Sequence, residues 1–538
     1  MISTDQELDE ALRRTEPKDW VYLGQGSANI ILAYHPAPQL SSSVQINSEE
    51  LLLQNRSIRL SKLKKITSSS ATSRDKKHPI SFIDFQERFI RRLIDERFLL
   101  KYQDVRLDST WLKALVKNFK LSSSSCDRSH EDCSSPKDLF SFDVDLDSDF
   151  GLVTENLRNF GNNHLITIEI KPKWSFLGRT IKDLNGNNNF LKSNFCRTCV
   201  ARAGEDYQDC ITWIKQNFNK YYLSSNRFCS LQLFSNNSND DKSNNNRNPG
   251  DKQLRKGIQK LYEEWKSEKH CSEGRIEDLS DSLKRPSQVH NNFRVFKSQK
   301  ELLSREDMES FILTEEDLNY LTIRLKQSKV LDRLDHLQRT LDLFDASLLK
   351  KPQQQDQEDP QTNLLPEEEV IDNDPMTIRD LQDILQILQK SSECPIEDFK
   401  NSVYDKLSLR LRVKMFKLSM TFKDCSIIIN FPPNSRPSLI LPDDADIAIA
   451  NKPNSNAVED QLNNNHKKMR SNDLDGSFSI KIIDLDLKDS KRLEEFVEKD
   501  KNLFQTFETI LRQFEYPFNN NDVGLRELKC IKTCLQVS

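Results

Sequence analysis

Apolar side chains are scarce in this chain: 36% of 538 residues, against 30% charged. That is too few for a protein packed throughout, so folded blocks interrupted by polar insertions are expected. No stretch approaches the ~20 consecutive apolar residues that cross a bilayer. The first residues, Met1, Ile2, Ser3, Thr4, Asp5, Gln6 and Glu7, are polar and acidic rather than signal-like. Eleven cysteines follow no paired framework. A soluble, intracellular, reduced protein is therefore expected. A formal net charge of −4 lacks the basic excess of a nucleic-acid binder, so no direct nucleic-acid partner is expected. Any anion site must come from local clusters. Cys196 and Cys199 have zinc-like spacing, with Cys210 and Cys229 farther along, but no second CxxC or HxxxH accompanies them. The plainer reading, cysteines without a metal, is preferred there.

What is present is organised around residues 165–174. Leu165, Ile166, Thr167 and Ile168 are apolar or β-branched and read as a buried strand. Glu169, Ile170, Lys171, Pro172, Lys173 and Trp174 follow directly. Proline fixes φ near −65° and limits how the flanking lysines move. Stiff cations lose little entropy when a polyanion arrives, so the stretch suits several phosphates. A strand end with solvated lysines is the alternative.

Glu169-Ile170-Lys171-Pro172-Lys173, followed by an aromatic and Phe176-Leu177, resembles the signature of the inositol-pentakisphosphate 2-kinase family, in a fungal-like form. These enzymes move the γ-phosphate of ATP to the 2-hydroxyl of inositol pentakisphosphate, giving inositol hexakisphosphate. Other blocks match in order from residue 19 to about 510. Asp19 to His35 reads as a hairpin tipped by Gly24-Gln25-Gly26, whose missing side chains let backbone N–H groups approach phosphate. It resembles the family's nucleotide loop, which usually has glutamate at the Gln25 position. The resemblance assigns Gly24, Gly26, Ser27, Ala28 and Asn29 to ATP. It also assigns Arg59, in the strand Arg56 to Leu60, to the ATP phosphates. Phe82 to Leu100 is helical in period and is expected behind the first lobe. Residues 150–157 match a kinase hinge, with Glu155 near adenine, and Glu169 also falls on the nucleotide side.

Farther on, Cys196-Arg197-Thr198-Cys199 resembles a family Cys-Arg-x-Cys that is followed by methionine and histidine. Here Val200 and Ala201 stand instead, with Arg202 a candidate substitute. Phe228 to Ser235 resembles a family Pro-Leu-Asp-Leu-Phe-Ser-Gly loop with proline, aspartate and glycine replaced. Asn291-Asn292-Phe293-Arg294 offers amides and a guanidinium fork that fit phosphate. Between 297 and 420 only His336 and Cys394 could ligate zinc, so a zinc site some relatives hold in that half is not expected. Asp424 stands at the mouth of the strand Cys425 to Ile429. Alternation through Ile482 to Lys488 places Asp484, Asp486 and Lys488 on one face, opposite Ile483, Leu485 and Leu487. Adjacent carboxylates repel unless a cation lies between them, which points to Mg²⁺. Arg492 and Phe496 continue from Lys488 at helical steps, with tyrosine common in relatives at the Phe496 position.

The resemblance implies an α+β, two-lobed, kinase-like fold with polar, disordered insertions. The expected lobes are residues 1–160, β-rich and ATP-binding, and 161–538, holding the inositide site, with insertions at 236–248, 352–375 and 451–475. Residues 120–136 are serine-rich and expected to be disordered. The implied mechanism uses ATP and Mg²⁺, with Asp424 and Lys171 catalytic and Asp484 and Asp486 on the metal. Lys173, Asn291, Asn292, Arg294, Lys488 and Arg492 would grip the inositide. A monomer is expected. The resemblance implies the nucleus, with the cytoplasm as the alternative; the basic stretch 61–78 reads as a solvated insertion, with a nuclear-targeting patch as its alternative. A catalytically impaired relative that binds inositides or acts as a scaffold is the alternative. A protein kinase is not expected, because no His-Arg-Asp occurs and the chain's Asp149-Phe150-Gly151 stands ahead of the central strand.

Overall fold

The computed structural model describes residues 4–25, 29–36, 52–62, 80–124, 144–146, 148–158, 165–178, 187–209, 228–234, 249–273, 292–297, 300–302, 305–343, 349, 375–391, 399, 407–432, 478–487 and 493–513. It is an α+β protein with two antiparallel five-stranded sheets. The chain divides into two compact units, Met1–Lys76 with Leu100–Asn163, and Lys77–Leu99 with His164–Ser538.

The first unit holds a sheet in the order β1-β2-β3-β5-β4. Its strands are β1 (Trp20–Gln25), β2 (Asn29–Tyr34), β3 (Arg56–Ser61), β4 (Gln103–Arg106) and β5 (Phe150–Glu155). Helix α1 (Thr4–Arg14) buries Leu8, Ala11 and Leu12, a helical stripe, in the unit's core. Helix α2 (Ser109–Ser124) adds Trp111, Leu112 and Leu115. Asp108 starts it by accepting from the N–H groups of Thr110 (2.8 Å) and Trp111 (2.9 Å). Ile58 and Leu60 point into this core, so Arg59 between them lies on the other face, across from Ile31 and Leu152.

The second unit is built on a sheet in the order β10-β9-β6-β7-β8. Its strands are β6 (Ile166–Ile170), β7 (Phe293–Lys297), β8 (Lys300–Glu301), β9 (Ser426–Phe431) and β10 (Ser479–Ile483). The strand the sequence singled out, β6, is therefore central and buried along its whole length. Ile166, Ile168 and Ile170 enter the hydrophobic core with Val295, Ile427 and Ile429. The helices are α3 (Asn187–Asn194), α4 (Arg197–Asp209), α5 (Pro249–Glu273), α6 (Arg305–Ser310), α7 (Glu315–Ser328), α8 (Val330–Leu341), α9 (Ile378–Ser391), α10 (Leu409–Lys423) and α11 (Leu493–Gln513). Leu334, Leu337 and Leu341 of α8 and Leu418 and Phe422 of α10 fill that core.

Three expectations change. Residues 77–99 belong to the second unit, not the first. Their helical stretch is broken into Phe82–Phe85, a π turn Gln86–Ile90, Arg91–Leu93 and a 3-10 turn Glu96–Phe98. The π turn buries Phe89 and Ile90 together with Gln86, whose amide donates to the Leu485 carbonyl at 2.8 Å. Second, strand alternation does not run to residue 488: β10 ends at Ile483 and Asp484 turns to φ 61°. Leu485 then drops into the core. Third, α2 runs to Ser124, into the stretch expected to be disordered. Residues 125–136, 236–248, 352–374 and 451–475 lie outside the described residues, as does most of the basic stretch 61–78.

Candidate active site

Strand directions explain why distant motifs meet. β6 and β10 end where β7 and β9 begin, because all neighbouring pairs are antiparallel. Ile170 pairs with Phe293 and Ile427, and Ser426 pairs with Ile483. One end of the second sheet therefore collects Lys171, Asn292, Ser426 and Asp484, with Lys173 and Asp424 next to them along the chain. The Lys171 N–H donates to the Asn292 carbonyl at 2.9 Å, carrying the ladder one step past the strands. Lys173 has φ 61° and so does Asp484. Left-handed backbone is uncommon for residues other than glycine and concentrates at functional turns. Asp424, half-buried, closes α10, and its N–H donates to the Met420 carbonyl at 3.1 Å.

A chain of polar groups crosses the face of this sheet opposite the isoleucines. Arg294 Nε donates to Glu301 Oε1 at 2.9 Å and Arg294 Nη1 to Glu169 Oε2 at 3.2 Å. Burial opposes the charge on Arg294, but the hydrogen bonds and charges of Glu301 and Glu169 outweigh it and hold the guanidinium above its ordinary pKa. Ser426 Oγ donates to Glu169 Oε1 at 2.9 Å and lies 3.3 Å from Asp484 Oδ2. One hydroxyl carries one proton. With that proton on Glu169, a lone pair of Ser426 faces Asp484, an all-oxygen arrangement that a hard divalent cation would fit. Asp484 and Ser426 are thus a pair that could hold a divalent cation. Asp486 lies two residues on, its carbonyl accepting from Thr421 Oγ1 at 2.8 Å.

The loop after β6 is pinned on several sides. Gln338, on α8, has no exposed surface: its Oε1 accepts from the Ser175 N–H at 3.0 Å, and its Nε2 donates to the carbonyls of Lys173 (2.9 Å) and Phe422 (3.0 Å). One amide thus ties the lysine turn to the segment leading into Asp424. Lys423, fully buried, pairs with Asp342 and sits 3.7 Å from the Trp174 ring centroid. Burial lowers its pKa, partly offset by Asp342. Ser230 Oγ donates to the Trp174 carbonyl at 2.7 Å.

Beside Trp174 opens a cleft of about 630 Å³, including open solvent, lined by Phe176, Lys192, Arg197, Asp342, Phe496 and Asp500 among others. Asp500 holds both cations, Lys192 and Arg197, at 2.8 Å. Burial pushes the Asp500 carboxyl up, but Arg197 and Lys192 outweigh it and hold it below the usual carboxylate range. A depressed carboxylate stabilises the fold above its unfolded pKa of ~4, and that stability is lost as pH falls through the lower folded value. Asp500→Asn should cost about 1.5–3 kcal/mol at pH 7. The gap to the unmodified protein in denaturant melts should close below ~pH 4. A gap equal at pH 7 and pH 3 would remove the ion-pair explanation.

Among the other anticipated residues, Gly24 lies in β1, Asn29 and Arg59 in β2 and β3, and Glu155 ends β5 opposite Arg56, all in the first unit. Gly26, Ser27, Ala28, Asn291, Lys488 and Arg492 lie outside the described residues. Arg202 does not reach the cleft as a substitute for the family histidine. It is buried against Glu264 (2.9 Å) and the Phe228 carbonyl (3.2 Å). The sequence reading missed Gln338 and Asp500, on apolar-periodic helices, and Asp342, just past the end of α8, where a polar residue gives no local signal. It also missed Arg158, whose Nη1 donates to the Leu23 carbonyl at 2.6 Å, beside Gly24.

Cys196, Cys199 and Cys229 also converge. The Cys196 thiol is pushed up to about 11, first by its hydrogen bond with Cys199 and further by burial, while Cys229 opposes the shift. No helix among the described residues is long and apolar enough to cross a membrane.

A family model described as Inositol-pentakisphosphate 2-kinase matches residues 22–502. The chain is similar to two curated proteins from Cryptococcus neoformans var. neoformans serotype D, strains JEC21 / ATCC MYA-565 and B-3501A, each named inositol-pentakisphosphate 2-kinase. Each is 22% identical over 506 residues, covering 91% of this chain and 94% of the relative.

Proposed function

We propose, given that the chain belongs to the inositol-pentakisphosphate 2-kinase family, that it transfers the γ-phosphate of ATP to the 2-hydroxyl of inositol 1,3,4,5,6-pentakisphosphate, giving inositol hexakisphosphate. The fold is then a two-lobed, kinase-like one, with the first unit as the nucleotide lobe. The observation that carries this reading is the convergence of Lys171, Lys173, Asn292, Asp424 and Asp484 at one end of the second sheet. Phosphoryl transfer asks mainly for positioning and charge neutralisation, and this end supplies fixed cations beside carboxylates.

In this reading Asp424 orients the attacking hydroxyl and takes its proton. Lys171 neutralises charge on the transferring phosphoryl group. Lys173, Asn292 and the two cations Lys488 and Arg492 hold the inositide phosphates. Gly24 to Asn29, Arg59, Glu155 and Glu169 serve ATP. Mg²⁺, when bound, neutralises phosphate charge, and Asp484 with Ser426 would hold it, with Asp486 alongside. Arg294 serves by holding Glu169 and Glu301 rather than by gripping phosphate.

Labelled ATP with a panel of inositol phosphates tests the reading. Label should enter inositol pentakisphosphate at the 2-position, and no transfer to any member would discard it. Lys488→Ala and Arg492→Ala should each weaken inositide binding by about 1.5–3 kcal/mol with ATP affinity nearly unchanged. Calorimetry showing equal losses for ATP would move these residues to the nucleotide. The scaffold reading draws on Ala201, with Arg202 held by Glu264. Inositide binding without label transfer would favour it.

A further inference from the structure

We propose that Cys196, Cys199 and Cys229 hold a structural Zn²⁺ ion, which locks the start of α4, and with it Arg197, to the 228–234 turn. The three sulfur atoms come from two chain segments and all lie within 4.8 Å of one another. Tetrahedral zinc with Zn–S bonds of ~2.3 Å places its sulfurs ~3.8 Å apart, so only a small contraction is needed. Cys196 and Cys229 are buried, and Leu231 and Leu177 wall the cluster with apolar surface. Cys199 is half-buried, leaving a side from which a water completes the coordination.

Two features of the surroundings favour negative charge at the sulfurs. Cys196 precedes α4 and Cys199 lies in its first turn, where unpaired N–H groups favour negative charge. Ser230 Oγ lies 3.2 Å from Cys196 Sγ and accepts from Thr198 Oγ1 at 3.3 Å, while its own proton goes to the Trp174 carbonyl. The ammonium of Lys260, on α5, is buried within electrostatic reach of both Cys199 and Cys229. Binding releases three thiol protons to solvent and leaves Zn²⁺ with three thiolates at a net charge of −1. Lys260 faces that charge. Thiolate ligands select zinc or another soft ion over Mg²⁺, so this site and the oxygen site near Asp484 do not compete.

The consequence is mechanical. Arg197 stands between Cys196 and Cys199 in the chain, pairs with Asp500 and lies 4.9 Å over the Trp174 ring. Ser230, next to the third ligand, holds the Trp174 carbonyl. One ion would fix both walls of the cleft.

The test uses the full chain, purified without added metal. Mass spectrometry of metals should find one zinc per chain. X-ray absorption should show sulfur at ~2.3 Å, and exchange with Co²⁺ should give sulfur-to-cobalt charge-transfer absorption. Cys199→Ser, the least buried ligand, and Cys229→Ser should each lower zinc content at least tenfold under mild chelation. Their melting temperatures should then stop responding to chelator. If a variant fails to fold, the wild-type stoichiometry and cobalt spectrum still decide. A folded wild-type chain without zinc or cobalt absorption, a native disulfide within the trio, or a Cys199→Ser protein that keeps its zinc would each overturn the proposal.

Discussion

Asp424→Asn should leave a folded protein that binds ATP and inositide almost normally and turns over about 10²–10⁴-fold more slowly. The substitution keeps the shape and removes only the charge and basicity. Asp424 lies where α10 stops and β9 is about to begin, between the buried Lys423 and the buried Cys425. Lys423 faces inward to Asp342 and Trp174, and the Asp424 N–H donates to the Met420 carbonyl, so the backbone here is fixed without the charge of the Asp424 carboxylate. Folding should therefore tolerate the amide, and circular dichroism and melting temperature should hardly change. The loss should appear in kcat with KM nearly constant, the pattern of an interaction made in the transition state. A variant within a few-fold of wild type would take the base role away from Asp424. A large rise in KM would make the residue a substrate ligand instead.

How much of this was legible beforehand depends on what a motif encodes. β6 could be read because its apolar, β-branched run is continuous, the pattern of a strand buried on both faces. Lys171 and Lys173 could be read because the proline between them ends that run. The meeting of Lys171, Asn292, Asp424 and Asp484 could be expected only from family resemblance. No local pattern tells residue 171 that residue 484 lies two strands away.

Other features could not be read for identifiable reasons. Alternation predicted a continuous strand through Asp484, yet a backbone turn at φ 61° redirects the chain there, and Asp gives only a weak signal for that turn. Gln338 lies on α8 among core leucines, and its three hydrogen bonds go to backbone groups far away in sequence. Arg202 looked like an available cation, but Glu264 lies 62 residues on and takes it into the core. Long-range polar pairing is set by packing, and one sequence carries no record of it.

Arg294→Ala should be the most damaging single change to stability, costing about 3–5 kcal/mol. Arg294 lies between Glu169 and Glu301, with its side chain 27% exposed and that of Glu169 only 6%. Removing the guanidinium leaves Glu169 buried beside Ser426 and close to Asp484, so negative charge gathers without its counter-ion. The expected readout is a large fall in denaturant midpoint for the ligand-free protein, with the slope unchanged. Adding Glu169→Gln should restore part of the loss, because the amide needs no cation, and the double-mutant cycle should show coupling of about 0.5–3 kcal/mol. If Arg294 were instead a phosphate ligand, the ligand-free alanine variant would melt near wild type and lose affinity only. Equal stability with lost binding would thus return Arg294 to the substrate. Lost stability with partial rescue by Glu169→Gln would establish it as the counter-ion of Glu169 and Glu301.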